Sequence, residues 1–148
     1  MPPSEVVART RLQLTRMLSA RPQDVFRAWT EPAQLERWCA PAGYEVLYIE
    51  LDLRVGGAYS VVMKHPDETS VCVTGNFLAV APRHRLAYTC ARQGTEMDAG
   101  DTRVSVDLRD RSGSTGLVLT HRGFESDEVY DFHEWAWNSC LDQLADLL

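Results

Sequence analysis

Residues 126–148 read SDEVYDFHEWAWNSCLDQLADLL, and this stretch decides the fold. At a helical period, Val129, His133, Ala136, Trp137, Cys140, Leu144 and Leu147 fall on one face, with Leu141 and Leu148 at its flank. Asp131, Asn138, Asp142 and Asp146 occupy the opposite face. Ser126 stands where an N-cap belongs, and Asp127 and Glu128 complement the positive end of the helix dipole. Val129 holds the third helical position, so the reciprocal capping box is absent. A helix with so wide an apolar face does not stand alone in water, and the preceding strands must supply a surface for it. Two residues break the pattern. His133 lies at the centre of the apolar face, and Trp135 projects toward the polar one.

The chain ahead of this helix is mostly strand. Tyr44–Leu51 and Ala58–Lys64 flank a turn, Asp52-Leu53-Arg54-Val55-Gly56-Gly57, whose paired glycines permit positive φ. In the second of these strands Tyr59, Val61 and Met63 share a face. His65–Glu68 reads as a hairpin turn, followed by a strand over Ser70–Val80 with Val71, Val73, Gly75 and Phe77 in phase. Pro82 breaks it. Arg85–Arg92 follows with Leu86, Tyr88 and Cys90 in phase, then a polar loop over Gln93–Gly100. Arg103–Arg109 alternates strictly, Ser112-Gly113-Ser114 turns the chain, and Thr115–Arg122 carries Leu117, Leu119 and His121 on one face.

At the front, residues 1–6 are short of structure-forming signals and expected to fray. Arg9–Leu18 suits a first strand. Pro22 and Asp24 then open a short helix with Val25, Phe26 and Trp29 on its apolar side. A second short helix starts at Pro32, with Leu35 and Trp38 sharing a face, and stops by Pro41-Ala42-Gly43. The order is strand, two short helices, six strands and a long helix. Strands joined by short turns make an antiparallel meander, and one helix laid on it makes an α+β layer. We expect a single domain over 1–148, with a sheet of six to seven strands curved around the C-terminal helix and a cavity between them.

Composition narrows the function. The formal net charge is −6 and the basic residues are scattered, which argues against nucleic acid and anionic membranes as partners. No apolar run reaches transmembrane length and no signal peptide is evident, so the expectation is no membrane insertion and a cytoplasmic location. Cys39, Cys72, Cys90 and Cys140 are far apart with no C-x-x-C pair, and read as small buried apolar residues. Phosphate-cradling and nucleophile-elbow motifs are missing, so no cofactor is expected.

The residues also resemble a known family. Val25-Phe26-Arg27-Ala28-Trp29-Thr30-Glu31-Pro32, Leu35 with Arg37-Trp38, the Asp52–Gly57 turn, Gly75-Asn76-Phe77, Pro82 with Arg85-Leu86, Leu119-Thr120-His121-Arg122-Gly123-Phe124, and His133 with Trp137 and the Leu141/Leu144 spacing carry the likeness. Together they resemble the bacterial relatives of the C-terminal domain of the activator of the ninety-kilodalton heat-shock chaperone's ATPase. That family belongs to the helix-grip superfamily, with START lipid-transfer domains, the birch-pollen allergen and polyketide cyclases. The resemblance implies a helix-grip fold with a pocket between sheet and long helix, and no single activity. The family often has a second Trp after the one matched by Trp38, where this chain has Cys39, and Gly before its helix Trp, where this chain has Ala136. Both changes reshape the pocket, so the identity of a ligand does not carry over.

Trp38, Tyr44, Tyr59, Val61, Met63, Phe77, Tyr88, Leu119, His121, His133, Trp137 and Leu141 are the candidate lining for a small apolar or aromatic ligand. The alternative is plain core packing. His121 and His133 are expected to point inward, as polar anchors, as weak candidates for acid–base catalysis, or as core histidines satisfied by their neighbours. No metal site is expected, because Glu50, Asp52 and Cys140 supply no ligand spacing around them. Asp52 and Arg54 flank the glycines and read as turn residues. Trp135 either packs on the loop before the helix or marks a protein contact, such as a homodimer. A binding protein without an assigned reaction leads this reading. A co-chaperone acting on the heat-shock chaperone and a cyclase- or dehydratase-type enzyme with a pocket histidine are the alternatives.

Overall fold

The structure is a computed structural model that describes residues 9–94 and 99–148. The expected fraying of residues 1–6 and the middle of the 93–100 loop lie outside the described residues. The elements run β1 (Arg11–Leu18), α1 (Pro22–Thr30), α2 (Pro32–Leu35), β2 (Glu45–Leu51), β3 (Ala58–Lys64), β4 (Ser70–Ala81), β5 (Arg85–Gln93), β6 (Ala99–Arg111), β7 (Ser114–Arg122) and α3 (Asp127–Leu147). The strands form one antiparallel sheet of seven in the order β1-β7-β6-β5-β4-β3-β2. Only the β1–β7 pairing departs from a meander, because α1 and α2 carry the chain from one sheet edge to the other. The result is a curved antiparallel sheet on a C-terminal helix, with two short helices after the first strand: a helix-grip fold.

Local chemistry accounts for the element ends. Pro22 occupies the first turn of α1, where its missing N–H is no loss, and Asp24 lies in that turn. Pro32 pushes Glu31 into an extended conformation and separates α1 from α2. The second helix is shorter than expected. It ends at Leu35, and Trp38 is delivered by the turn that follows. The Ser126 hydroxyl caps α3 by accepting the Val129 N–H at 3.1 Å. β6 is longer than the strict alternation of 103–109 indicates, since hydrogen-bonding to β5 and β7 carries it to Ala99 and Arg111.

Two glycines are required by close approach. A Cβ on Gly57 would run into the Asp52 carbonyl, which the tight turn brings underneath. A Cβ on Gly75 would strike the Thr89 carbonyl and the Tyr59 ring. Gly75 therefore lets Tyr59 lie flat across the sheet and donate to the Thr89 carbonyl at 2.7 Å. The inward-facing series on β5, β6 and β7 bury Leu86, Tyr88, Val104, Val106, Leu117 and Leu119 against Leu141 and Leu144 of α3. Val25, Ala28 and Trp29 of α1 close the same cluster.

Candidate functional site

Between the sheet and the first half of α3 lies a cavity of about 130 Å³. Its wall is built from Trp29 on α1, Trp38 and Cys39 after α2, Tyr59, Val61 and Met63 on β3, Val73 and Phe77 on β4, Leu86, Tyr88, Cys90 and Arg92 on β5, His121 on β7, and His133, Ala136, Trp137 and Cys140 on α3. Leu35, Pro41, Glu50 and Leu51 complete it. Of the residues expected from the sequence, Trp38, Tyr59, Val61, Met63, Phe77, Tyr88, His121, His133 and Trp137 meet here. Leu119 and Leu141 do not reach the cavity. Both are 0% exposed and packed in the aliphatic part of the core. Tyr44 lies outside the wall, with its ring edge-on to His65 and its hydroxyl accepting from Arg92 at 3.2 Å. Cys39 and Ala136, the two departures from the family pattern, both face the cavity.

The rings are pinned at their polar ends. Trp38 Nε1 donates to the Ala28 carbonyl at 2.9 Å, and Trp29 Nε1 to the Tyr88 hydroxyl at 3.4 Å. Trp29 also packs edge-on to Trp38, with centroids 4.5 Å apart, and stacks on Trp137 at 6.2 Å. Burial pushes the Tyr59 and Tyr88 hydroxyls well above the ordinary phenol range, so both stay neutral. It pushes the Cys39 thiol up to about 12 and raises Cys90 and Cys140 as well, leaving no ready thiolate among them.

The two histidines are placed differently. The indole of Trp137 can only donate, so at 3.0 Å His121 Nδ1 must accept. The proton is then on Nε2, which donates to Thr102 Oγ1 at 2.7 Å, and that hydroxyl donates in turn to the Cys90 carbonyl. Burial and the neighbouring His133 hold His121 well below the usual histidine range. With both ring nitrogens engaged, His121 is a neutral spacer that orients Trp137. His133 donates from Nδ1 to the Val129 carbonyl one turn back, at 2.9 Å. Its ring stands perpendicular to that of His121, with centroids 5.2 Å apart. Burial lowers its pKa to about 4, so at neutral pH the ring of this cavity-lining residue is neutral and Nε2 carries a lone pair.

Sequence reading missed Arg92, Thr102, Trp29 and Cys140 as parts of this site. The signal for two of them was present. Arg92 continues the inward phase Leu86, Tyr88, Cys90, and Thr102 precedes Val104, Val106 and Leu108 in the same register. A polar residue in a buried phase is the informative exception. Trp135 is 47% exposed and packs on Phe132 of its own helix, at 5.8 Å between centroids. Asp52 and Arg54 form an exposed ion pair at 2.8 Å within their turn. Among the described residues, no helix is long and apolar enough to cross a membrane, and no three histidine, cysteine or carboxylate groups gather as a metal site.

Comparison with known proteins agrees with this fold. The family model described as Activator of Hsp90 ATPase homolog 1-like protein matches residues 19–148. A crystal structure of a protein from Chromobacterium violaceum superposes with a TM-score of 0.84 at 28% identity, over 95% of this chain and 98% of that one. The protein of this family from Silicibacter pomeroyi superposes at 0.78 with 26% identity, over 92% and 95%. One from Nitrosomonas europaea, at 24% identity, shares the fold with a TM-score of 0.80 over 97% and 96%. No curated protein matches the chain.

Proposed function

The chain belongs to the family of Activator of Hsp90 ATPase homolog 1-like proteins, and on that footing we propose that it binds a small, mostly apolar ligand between its sheet and α3. One observation carries this reading: a cavity walled by Trp29, Trp38, Tyr59, Phe77, Tyr88 and Trp137, with neutral His133 on its helix side. Ligand sites are concave, chiefly apolar and provided with a few convergent polar groups. No reaction is assigned: both ring nitrogens of His121 are engaged, and His133, with its pKa lowered to about 4, is a weak base. The four unpaired cysteines suit the reducing cytoplasmic location expected from the sequence.

The test is non-denaturing mass spectrometry of protein purified gently from cells. A reproducible added mass that leaves on denaturation, and is missing from an Ala136→Phe variant with a filled cavity, supports the reading. An added mass unaffected by Ala136→Phe contradicts it.

A second reading has its own support. The family description names activation of the Hsp90 ATPase, and Trp135 is exposed on α3 away from the cavity. A protein partner, either that chaperone or a second copy of this chain, would use such a surface. It predicts ATPase stimulation that survives Ala136→Phe and is lost with Trp135→Ala.

A further inference from the structure

An apolar ligand leaves Arg92 unexplained. Its side chain comes from the inward phase of β5, is 5% exposed, and forms part of the cavity wall. Arginine keeps its charge inside proteins, and an unpaired buried cation is strongly disfavoured. Here the cation is only partly compensated. Nη2 donates to the Tyr44 hydroxyl at 3.2 Å, and the guanidinium carbon sits 4.4 Å from the Phe132 ring centroid and 5.6 Å from that of Tyr44. Nε is fully buried and has no hydrogen-bond partner. Among the described residues no carboxylate forms an ion pair with it. Glu50 also borders the cavity, but it is an exposed residue of the edge strand and accepts from the Tyr48 hydroxyl at 2.6 Å. A methionine or leucine at 92 would suit a simple core better.

We infer that the cavity takes an amphipathic carboxylate, a small aromatic or branched-alkyl acid whose apolar body fills the aromatic box while its carboxylate accepts from Arg92. The inference rests on the ligand-binding reading and adds the chemistry of the head group. Phe132 and Tyr44 flank the guanidinium carbon, and the charge that these rings and the Tyr44 hydroxyl only partly offset favours an anion in the adjoining cavity. A cavity of about 150 Å³ admits a benzene ring; this one, at about 130 Å³, sets the body at one ring or its aliphatic equivalent.

The experiment compares 3-phenylpropanoate with its neutral counterpart 3-phenylpropanamide by isothermal titration calorimetry on the full chain at pH 7. The acid is expected to bind wild type about tenfold or more tighter, the size of a charge-assisted hydrogen bond. Arg92→Met should erase that preference while amide affinity stays, and Arg92→Lys should keep part of it. Ala136→Phe should abolish both titrations. Should Arg92→Met fail to fold, the wild-type ratio and Arg92→Lys decide the matter. Equal affinity for acid and amide overturns the carboxylate inference and leaves the cavity reading standing. An acid preference that survives in both Arg92 variants also overturns it. Absence of heat for either compound at millimolar concentration overturns both.

Discussion

The two halves of α3 face the same sheet and meet different interiors. Its second half sets Leu141 and Leu144, both 0% exposed, into an aliphatic cluster with Leu18, Val25, Leu117 and Leu119. Its first half sets His133, Ala136 and Trp137 along the wall of a cavity that Cys140, just past the midpoint, completes. Aliphatic chains adjust their rotamers until they interdigitate, and cores of them approach crystal density. The rings opposite the first half cannot do this. Trp38 is tied to the Ala28 carbonyl, Tyr59 to the Thr89 carbonyl and Trp137 to His121, so each ring is anchored by its polar end. Space persists beside them because closing it would break those hydrogen bonds in a buried place. Packing in one half and preorganised space in the other are two outcomes of residue choice on one helix.

The comparison can be broken most directly at Leu141. Leu141→Ala should lower unfolding free energy by about 2–5 kcal/mol in urea denaturation, because it opens a void in tightly packed surroundings. A loss below about 1 kcal/mol would mean that the packed half is no tighter than the other.

Acid should act on the cavity half alone. The folded-state pKa of His133 is lowered from 6.5 to about 4, so between those values the unfolded chain binds a proton that the folded chain refuses. Stability is then complete above about pH 6.5 and falls as pH drops toward 4, by up to about 3 kcal/mol for this residue. His121, held lower still, acts in the same direction. Urea midpoints measured from pH 7 to 4 should show this decline, and a His133→Gln variant should flatten part of it. An unchanged slope in the variant would remove His133 from the account.

Placing the same substitution in the packed core and at the cavity wall sharpens the contrast. Ala28 is 0% exposed among close neighbours, whereas Ala136 faces the cavity. Ala28→Leu should destabilise by about 1–3 kcal/mol through overpacking. Ala136→Leu should change stability by less than about 1 kcal/mol, since its added atoms enter empty space, and should weaken ligand binding. Thermal melts of the pair provide the check. Ser126→Ala removes the α3 cap and should lower stability by about 1 kcal/mol without altering the cavity.

The fold was readable because its signals repeat. Period-two strands, the paired glycines at 56–57, Pro22, and the stripe from His133 to Leu144 each name an element, and their order leaves few ways to assemble them. The site was partly readable. An alternating strand says which side chains face inward, and that brought Tyr59, Phe77, Tyr88 and His121 to one face. It does not say which inward residues touch a void and which fill the core. Leu119 on β7 and Leu141 on α3 both face inward yet fill the core, and Tyr44 precedes the strand, which begins at Glu45. Arg92 needed the inward phase of β5 to be followed one step further, past the point where hydrophobic residues stop.

Trp29, Trp38 and Trp137 line the cavity, whereas Trp135 is exposed on α3. The indole N–H spectrum of ¹⁵N-tryptophan-labelled protein therefore has reporters in both places. On titration with 3-phenylpropanoate, and with 3-phenylpropanamide as the neutral control, the Trp29 and Trp137 signals should shift in a saturable way while that of Trp135 stays fixed. Saturable movement of Trp135 with the cavity signals unmoved would place binding on the surface and contradict a ligand site between sheet and helix.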